Sequence, residues 1–421
     1  MNTYVTIGNR YRKFHGKSVL LLIPFRNQAH HPLSKYIGFL LGVDYPFKSY
    51  YYDPLEKLFS KVIVYDYISK MLATNTEEMN RDLIDVVARE KPDYVLWVSM
   101  NYEFFTTTFD AIRNLGSQTI GTFFDDEWRF DEYSSYWAKH LDYCVTNDVS
   151  AVEKYSSMGV RSIPTVPCSV MPVNLTRNQI GEKYDVSFVG GRKYDRSKYI
   201  SDILSKNLLA NVFGDGWEDF GGKYISFSEM IDVFQKSKIN LNFTKTEHGK
   251  FGWKGRMLQI CGSGGFLLTE PFPGIENYFK VGKEIVCFKD SEELVSKIRY
   301  YLNHDDERRE IARNGWKRVV GEYTPYHVMD RIFTEIEKSS NISKKAARPS
   351  RNDEIPISLR RKFSNYHFIL AVALSLANHG DKAWLSELKL SLKYNPSNIF
   401  ARFYFLIGYS PNLYVQCYPM L

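Results

Sequence analysis

Short apolar runs, spaced by stretches of helical periodicity, organise the first part of the chain. Residues 18–24 (SVLLLIP) are continuous, apolar and stopped by proline, which predicts a strand buried on both faces. Residues 62–65, 94–99 and 119–124 repeat that pattern. Between the second and third of these runs, residues 76–90 put Met79, Leu83, Val86 and Val87 on one helical face. Residues 144–146 predict another short strand, and 150–158 a helix with Asp148 or Ser150 as its cap. Strands alternating with helices in this way predict a parallel sheet covered by helices.

The pattern stops at 164–179 (PTVPCSVMPVNLTRNQ), where three prolines and little periodicity predict a linker between two α/β halves. It then restarts. Strands are expected at 184–189, 211–214, 239–243, 266–269 and 285–288. Helices are expected at 197–208, at 226–235 with Ser226 as cap, from 255 onward, and at 291–302, 307–321 and 326–338. The stretch 364–408 differs in character: Ala371, Leu374, Ala377, Gly380, Asp381, Ala383, Leu390 and Pro396 resemble one tetratricopeptide unit. A single unit lacks the stacked neighbours such repeats need, so a helical pair packed on the core is preferred. The expected architecture is therefore α/β: two Rossmann-like domains facing a cleft (1–170 and 180–337), a basic linker (338–362) and a helical, tetratricopeptide-like tail (363–421).

Composition narrows the function classes. At 421 residues, with 44% hydrophobic and 24% charged residues, the chain can build two ordinary cores. A formal charge of +7 fits a diphosphate site or contact with an anionic surface. It falls short of a dedicated nucleic-acid binder, so no nucleic-acid partner is expected. Lys344, Lys345, Arg348, Arg351, Arg360, Arg361 and Lys362 cluster in the linker and read as a solvated face. Five scattered cysteines without a C-x-x-C pair, and nine histidines without ligand spacing, predict neither zinc nor a disulfide framework. The early apolar run is too short for a signal segment, and none is long enough to span a bilayer. A cytoplasmic protein, at most peripheral to a membrane, is the expectation.

Two motifs carry the chemistry. In YDVSFVGG (184–191), a strand runs into Gly190 and Gly191, followed by Arg192 and Arg196. Such a turn lets a ligand approach backbone, and the following helix offers its N-terminal N–H groups to phosphate. It is not the G-x-G-x-x-G fingerprint, which weighs against a nicotinamide enzyme. In FGWKGR (251–256), Lys254 and Arg256 flank a glycine and can meet a diphosphate with a point charge and a bidentate fork. Gln259, Gly264, Gly265 and Glu270 follow, in CGSGGF and LLTE. Trp217, in GDGW after a strand, suits base stacking or a pocket wall, and Glu276 follows the Pro273-Gly274 turn.

Residues 184 to about 330 resemble the nucleotide-sugar-binding half of the CgeB-like glycosyltransferases, a group similar to the retaining enzymes with two-domain GT-B architecture. The resemblance is carried by DVSFVGGR, NVFGDGW, KINLNF, KGRMLQICGSGGFLLTE, GIENYFKVGKEIVCFKDSEELVSKIRYYL and RNGWKRVVGEYT, in that order. It implies a nucleotide diphosphate sugar as donor and no cofactor or metal. Arg256 and Lys254 would stabilise the departing diphosphate. Gly190, Gly191, Arg192, Arg196, Trp217, Gln259, Gly264, Gly265, Glu270 and Glu276 would surround the donor. Gln259 stands where the family usually has Glu, which removes a charge beside the ribose.

Asp125, Asp126 and Glu127 follow the strand at 119–124, at the end that faces the ligand crevice in open α/β sheets. Asp125 is the first choice as the catalytic carboxylate on the acceptor side. His30, His31, Glu247 and His248 are lesser candidates. The function expected is transfer of a sugar to a glycan, protein or small-molecule acceptor, without metal and with retention. A nucleotide-sugar epimerase and a non-catalytic scaffold, recruiting a protein partner through its C-terminal helices, are the alternatives.

Overall fold

The computed structural model describes residues 3–7, 12–25, 46–167, 170, 182–246, 249–340, 355–376 and 383–402. Two sheets form its frame. The first has seven strands in the order β1-β3-β2-β4-β5-β6-β7. These are β1 (Thr3–Ile7), β2 (Phe14–Ile23), β3 (Phe59–Asp66), β4 (Tyr94–Val98), β5 (Gln118–Phe123), β6 (Tyr143–Thr146) and β7 (Arg161–Pro164). All pairings are parallel except β1 on β3. The second, wholly parallel sheet runs β12-β11-β10-β8-β9. Its strands are β8 (Tyr184–Val189), β9 (Ala210–Phe213), β10 (Ser237–Asn242), β11 (Leu267–Thr269) and β12 (Val286–Cys287).

Burial explains why these runs are strands: Val19 to Ile23 are fully buried on both faces, as helices on both sides of a parallel sheet require. Strand order reverses direction between β2 and β4 and again between β8 and β10. Each reversal opens a crevice at the strands' C-terminal ends, where such sheets take ligands. Local signals also hold. Ser226 caps the Phe227–Lys236 helix in a reciprocal box with Glu229, and Asn75 accepts from Glu78 N–H at the start of Thr76–Glu90.

Two places depart from the sequence reading, and a third follows it. Residues 161–164 form β7, extending the first sheet to the point where the proline-rich linker was expected to begin. The helix Pro325–Ser340 follows the second sheet in sequence but packs on the first. Its Phe333 ring lies 4.7 Å from Phe59 and 5.3 Å from Tyr94, and Asp330 pairs with Lys13 at 2.5 Å. The helix Ile357–Leu376 joins the first core, with Phe363 4.8 Å from Tyr102 and 5.8 Å from Trp137. Helix Ala383–Tyr394 locks it there. Buried Glu387 accepts from Thr76 N–H at 2.7 Å and meets the His367 ring at 2.8 Å. These helices thus spend apolar surface on the first lobe, the packing preferred over a free-standing repeat. No helix among the described residues is long and apolar enough to cross a membrane.

Candidate functional site

The second lobe's switch point is built around Gly190. This residue leaves β8 at φ +152°, and its N–H donates to Phe213 O at 2.7 Å, tying the turn to β9. A Cβ at Gly190 would fall 2.4 Å from the Arg256 Nη2 atom, so the guanidinium lies directly on the glycine backbone. Arg256 belongs to the first turn of the Gly255–Gly262 helix and donates to Asn242 Oδ1, at the end of β10, at 3.3 Å. Arg196 opens the helix after β8 and donates to Gly191 O at 2.8 Å. The two guanidiniums share the Phe188 ring, their Cζ atoms 5.1 Å (Arg256) and 5.5 Å (Arg196) from its centre.

Among the described residues no carboxylate lies within ion-pair distance of Arg196 or Arg256, and buried Arg196 Nε has no hydrogen-bond partner. Burial lowers the Arg196 pKa, while Tyr194, Glu270 and Asp195 oppose that through space. It pushes Arg256 down to about 9, with repulsion from Arg196 as the second cause. Positive charge enclosed with no carboxylate in contact is costly, and the Arg196 fork retains a free donor. Such an arrangement can hold an anion.

Lys254 stands at the N-terminus of the same helix. Burial lowers its pKa, Asp125 and Glu127 oppose that, and Arg196 and Arg256 reinforce it. Across from it, Asp125 lies just beyond β5 in the left-handed region, φ +74°, a costly conformation for a residue with a side chain. Its N–H donates to Asn147 Oδ1 at 3.1 Å. Asp126 is buried and accepts from Tyr155 Oη at 2.8 Å, and burial raises its carboxyl to about 6. Glu127 Oε1 lies 3.6 Å from Lys254 Nζ. The structure therefore brings Asp125, Glu127, Lys254, Arg256 and Arg196 to one place, from both lobes.

Other expected residues divide. Gln259 is half-buried one helical turn from Arg256, on the same face. Gly191 follows Gly190 in the turn. Arg192 is paired with Asp219 at 2.7 Å and lies over Phe220. Glu270 accepts from Thr244 N–H at 2.8 Å, so it pins the loop after β10, and burial raises its pKa. Gly264 turns the chain after the helix at φ +83°. Gly265 makes room for Asn240 and Phe234, a Cβ there lying 2.7 Å from Asn240 Nδ2. Glu276 is exposed in a 3-10 turn. The stacking expected of Trp217 needs correcting: its ring is fully buried and donates to Gly190 O at 2.7 Å, so it braces the turn from behind. His30, His31, Glu247 and His248 lie outside the described residues. Sequence reasoning passed over Asn242 and Phe188, which carry the two arginines. Their only signal was a place at the C-terminal ends of adjacent strands.

No curated protein matches the sequence. Among solved structures, HepE of Anabaena in complex with UDP is similar at 10% identity, over 76% of this chain and 100% of that chain, with a TM-score of 0.50. Sucrose-phosphate synthase of Thermosynechococcus elongatus aligns at 9% identity over 78% and 100% of the two chains, TM-score 0.49. A TarM variant of S. aureus aligns at 11% identity over 61% of this chain, TM-score 0.46, and this chain spans 58% of its length. The first of these shows the fold, two parallel-sheet lobes of GT-B type. Residues 196–334, which hold Arg196, Lys254 and Arg256, match the family model described as glycosyl transferase-like.

Proposed function

We propose that this chain is a glycosyltransferase whose donor, a nucleotide diphosphate sugar, binds on the second lobe with its diphosphate on Arg196, Arg256 and Lys254. The observation that carries this is the pair of enclosed guanidiniums with no described carboxylate within ion-pair distance, set on a glycine turn at a strand-order reversal. A diphosphate would supply the missing charge, and fixed cations would stabilise it best as it departs. Three protein cations offer that stabilisation without a metal. Gln259, on the Arg256 face, would meet the ribose. The half-buried carboxylates at the end of β5 would face the acceptor, with Asp125 the proposed catalytic group.

The CgeB-like subtype and retention of configuration belong to the same proposal and rest on the motif resemblance. Anomeric coupling in the product's proton NMR spectrum decides retention. The nucleotide to try first is UDP, which HepE holds. UDP at a hundred times its dissociation constant should add about 2.7 kcal/mol of stability. Arg256→Ala should erase most of that thermal shift. An undiminished shift in this variant sinks the site.

A further inference from the structure

The lobes touch beside the site through one acidic residue. Lys250 Nζ donates to the Glu127 carbonyl at 2.8 Å, and Lys254 Nζ stands 3.6 Å from Glu127 Oε1. Gly252 lies against the same carboxyl, since a Cβ there would fall 2.6 Å from Oε1. That side chain is only 9% exposed, yet Oε1 accepts no hydrogen bond. Its nearest cation is beyond hydrogen-bond range. Burial raises the Glu127 carboxyl to about 7; Asp125 and Asp148 push the same way and Lys254 opposes them.

Two sets of charges drive Lys254 the same way. Asp125 and Glu127 attract it toward the first lobe, while Arg196 and Arg256 repel it. An anion on the guanidiniums would reverse that repulsion and draw the ammonium back. We propose that Glu127 is a positioning residue that competes with a bound diphosphate for Lys254, and so sets how tightly the second lobe holds its nucleotide. This rests on the donor-site reading above. Ionised Glu127 weakens anion binding twice: by direct repulsion across a poorly solvated gap, and by withholding Lys254. The coupling is reciprocal, so bound nucleotide raises the carboxyl's proton affinity further. Three unopposed cations would hold the product nucleotide too tightly to turn over. A carboxylate from the opposite lobe offsets part of that grip.

Titration gives the sign. Glu127 ionises as pH rises through about 7, so UDP affinity should fall across that interval. The charged groups around it are Asp125 and Asp148 from the first lobe and Lys254 and Lys250 from the second. The terminal phosphate of UDP titrates nearby (near pH 6 for a phosphate), which the Glu127→Gln variant cancels because it meets the same ligand. The experiment is calorimetric titration of the full chain with UDP at about pH 6 and about pH 8, with inorganic pyrophosphate as a second probe. Glu127→Gln should bind UDP roughly fivefold tighter than the parent at the higher pH and equally at the lower. Glu127→Asp, keeping the charge, should keep the parent's pH step. Equal or weaker binding by Glu127→Gln at the higher pH overturns the competition. If Arg256→Ala still loses UDP in that event, the donor site stands without it. If Arg256→Ala keeps UDP, the donor site itself is wrong.

Discussion

Among the described residues, the second lobe encloses two guanidiniums with no carboxylate in ion-pair contact, whereas the first encloses three carboxyls with no cation at hydrogen-bond distance. Burial takes Arg256 down to about 9 and raises Glu103 to about 7, Asp126 to about 6 and Glu127 to about 7. Each lobe thus holds charge that destabilises it alone, of opposite sign, and these charges come closest at Glu127 and Lys254. Charge of this kind persists where function needs it, because neutral residues of similar shape would fold more stably. On the proposed function the contrast would also separate roles: cations for the leaving group, and carboxyls of raised pKa for proton-accepting chemistry near neutrality.

The largest test of that contrast is Arg256→Met, which keeps bulk and removes charge. UDP affinity should fall about 100-fold, the scale of a lost charge-assisted hydrogen bond to a buried anion. Melting temperature without ligand should rise, because an uncompensated buried charge has gone. Both are read from melting curves with and without UDP. A lower melting temperature in the variant would make Arg256 a structural residue and dissolve the contrast.

Next in size is the acidic lobe's dependence on pH. Glu103 is fully buried and accepts from Asn101 N–H at 3.1 Å, with its carboxyl raised from 4.5 to about 7. The folded form therefore keeps a proton that the unfolded chain has already lost between those values. Stability falls as pH rises through that window, by at most on the order of 3 kcal/mol from this group. Glu103→Gln should flatten that part of the profile, measured as urea midpoints at about pH 5 and about pH 8. An unchanged slope would assign the loss to Asp126 or Glu127, which titrate in the same direction.

Much of the second lobe was legible because its signals are local. The strand at Tyr184–Val189, the Ser226 cap and the Ser291–Leu302 helix fall where periodicity put them. The Lys254–Arg256 pair was visible for the same reason, one stretch of chain holding both charges. What escaped was long-range. Trp217 read as a ligand-facing ring because nothing nearby reveals that Gly190 O takes its N–H. Helix Pro325–Ser340 returns to the first lobe through Phe333 meeting Phe59, a contact between residues distant in sequence. The edge strand β1 and the bend from Asp126 through Ala138 gave no clean period, since π-turn and helix alternate there.

A smaller effect tests how the glycine turn serves the cations. Gly190→Ala would set a methyl group where the Arg256 fork now lies, at a backbone angle that disfavours a side chain. The guanidinium must move, and UDP affinity should drop about tenfold, the size of one misplaced hydrogen bond. Titration of UDP reads this directly. Affinity equal to the parent's would mean that Arg256 acts from another position.

The smallest expected effect concerns Trp217, and it separates bracing from contact. Phenylalanine at this position keeps the ring's packing against Phe188 and Phe220 but removes the donor to Gly190 O. Losing that bond leaves a buried carbonyl with one partner fewer, a cost of about 1 kcal/mol in stability. Because the ring is fully buried on the far side of the turn, UDP affinity should change by less than about threefold. Stacking on a base is worth more, roughly 1–3 kcal/mol per base. A tenfold loss of UDP affinity in Trp217→Phe, with stability intact, would therefore mean the indole reaches the ligand. The turn would then have to open when nucleotide arrives, and the cations' fixed placement on Gly190 would no longer explain the site.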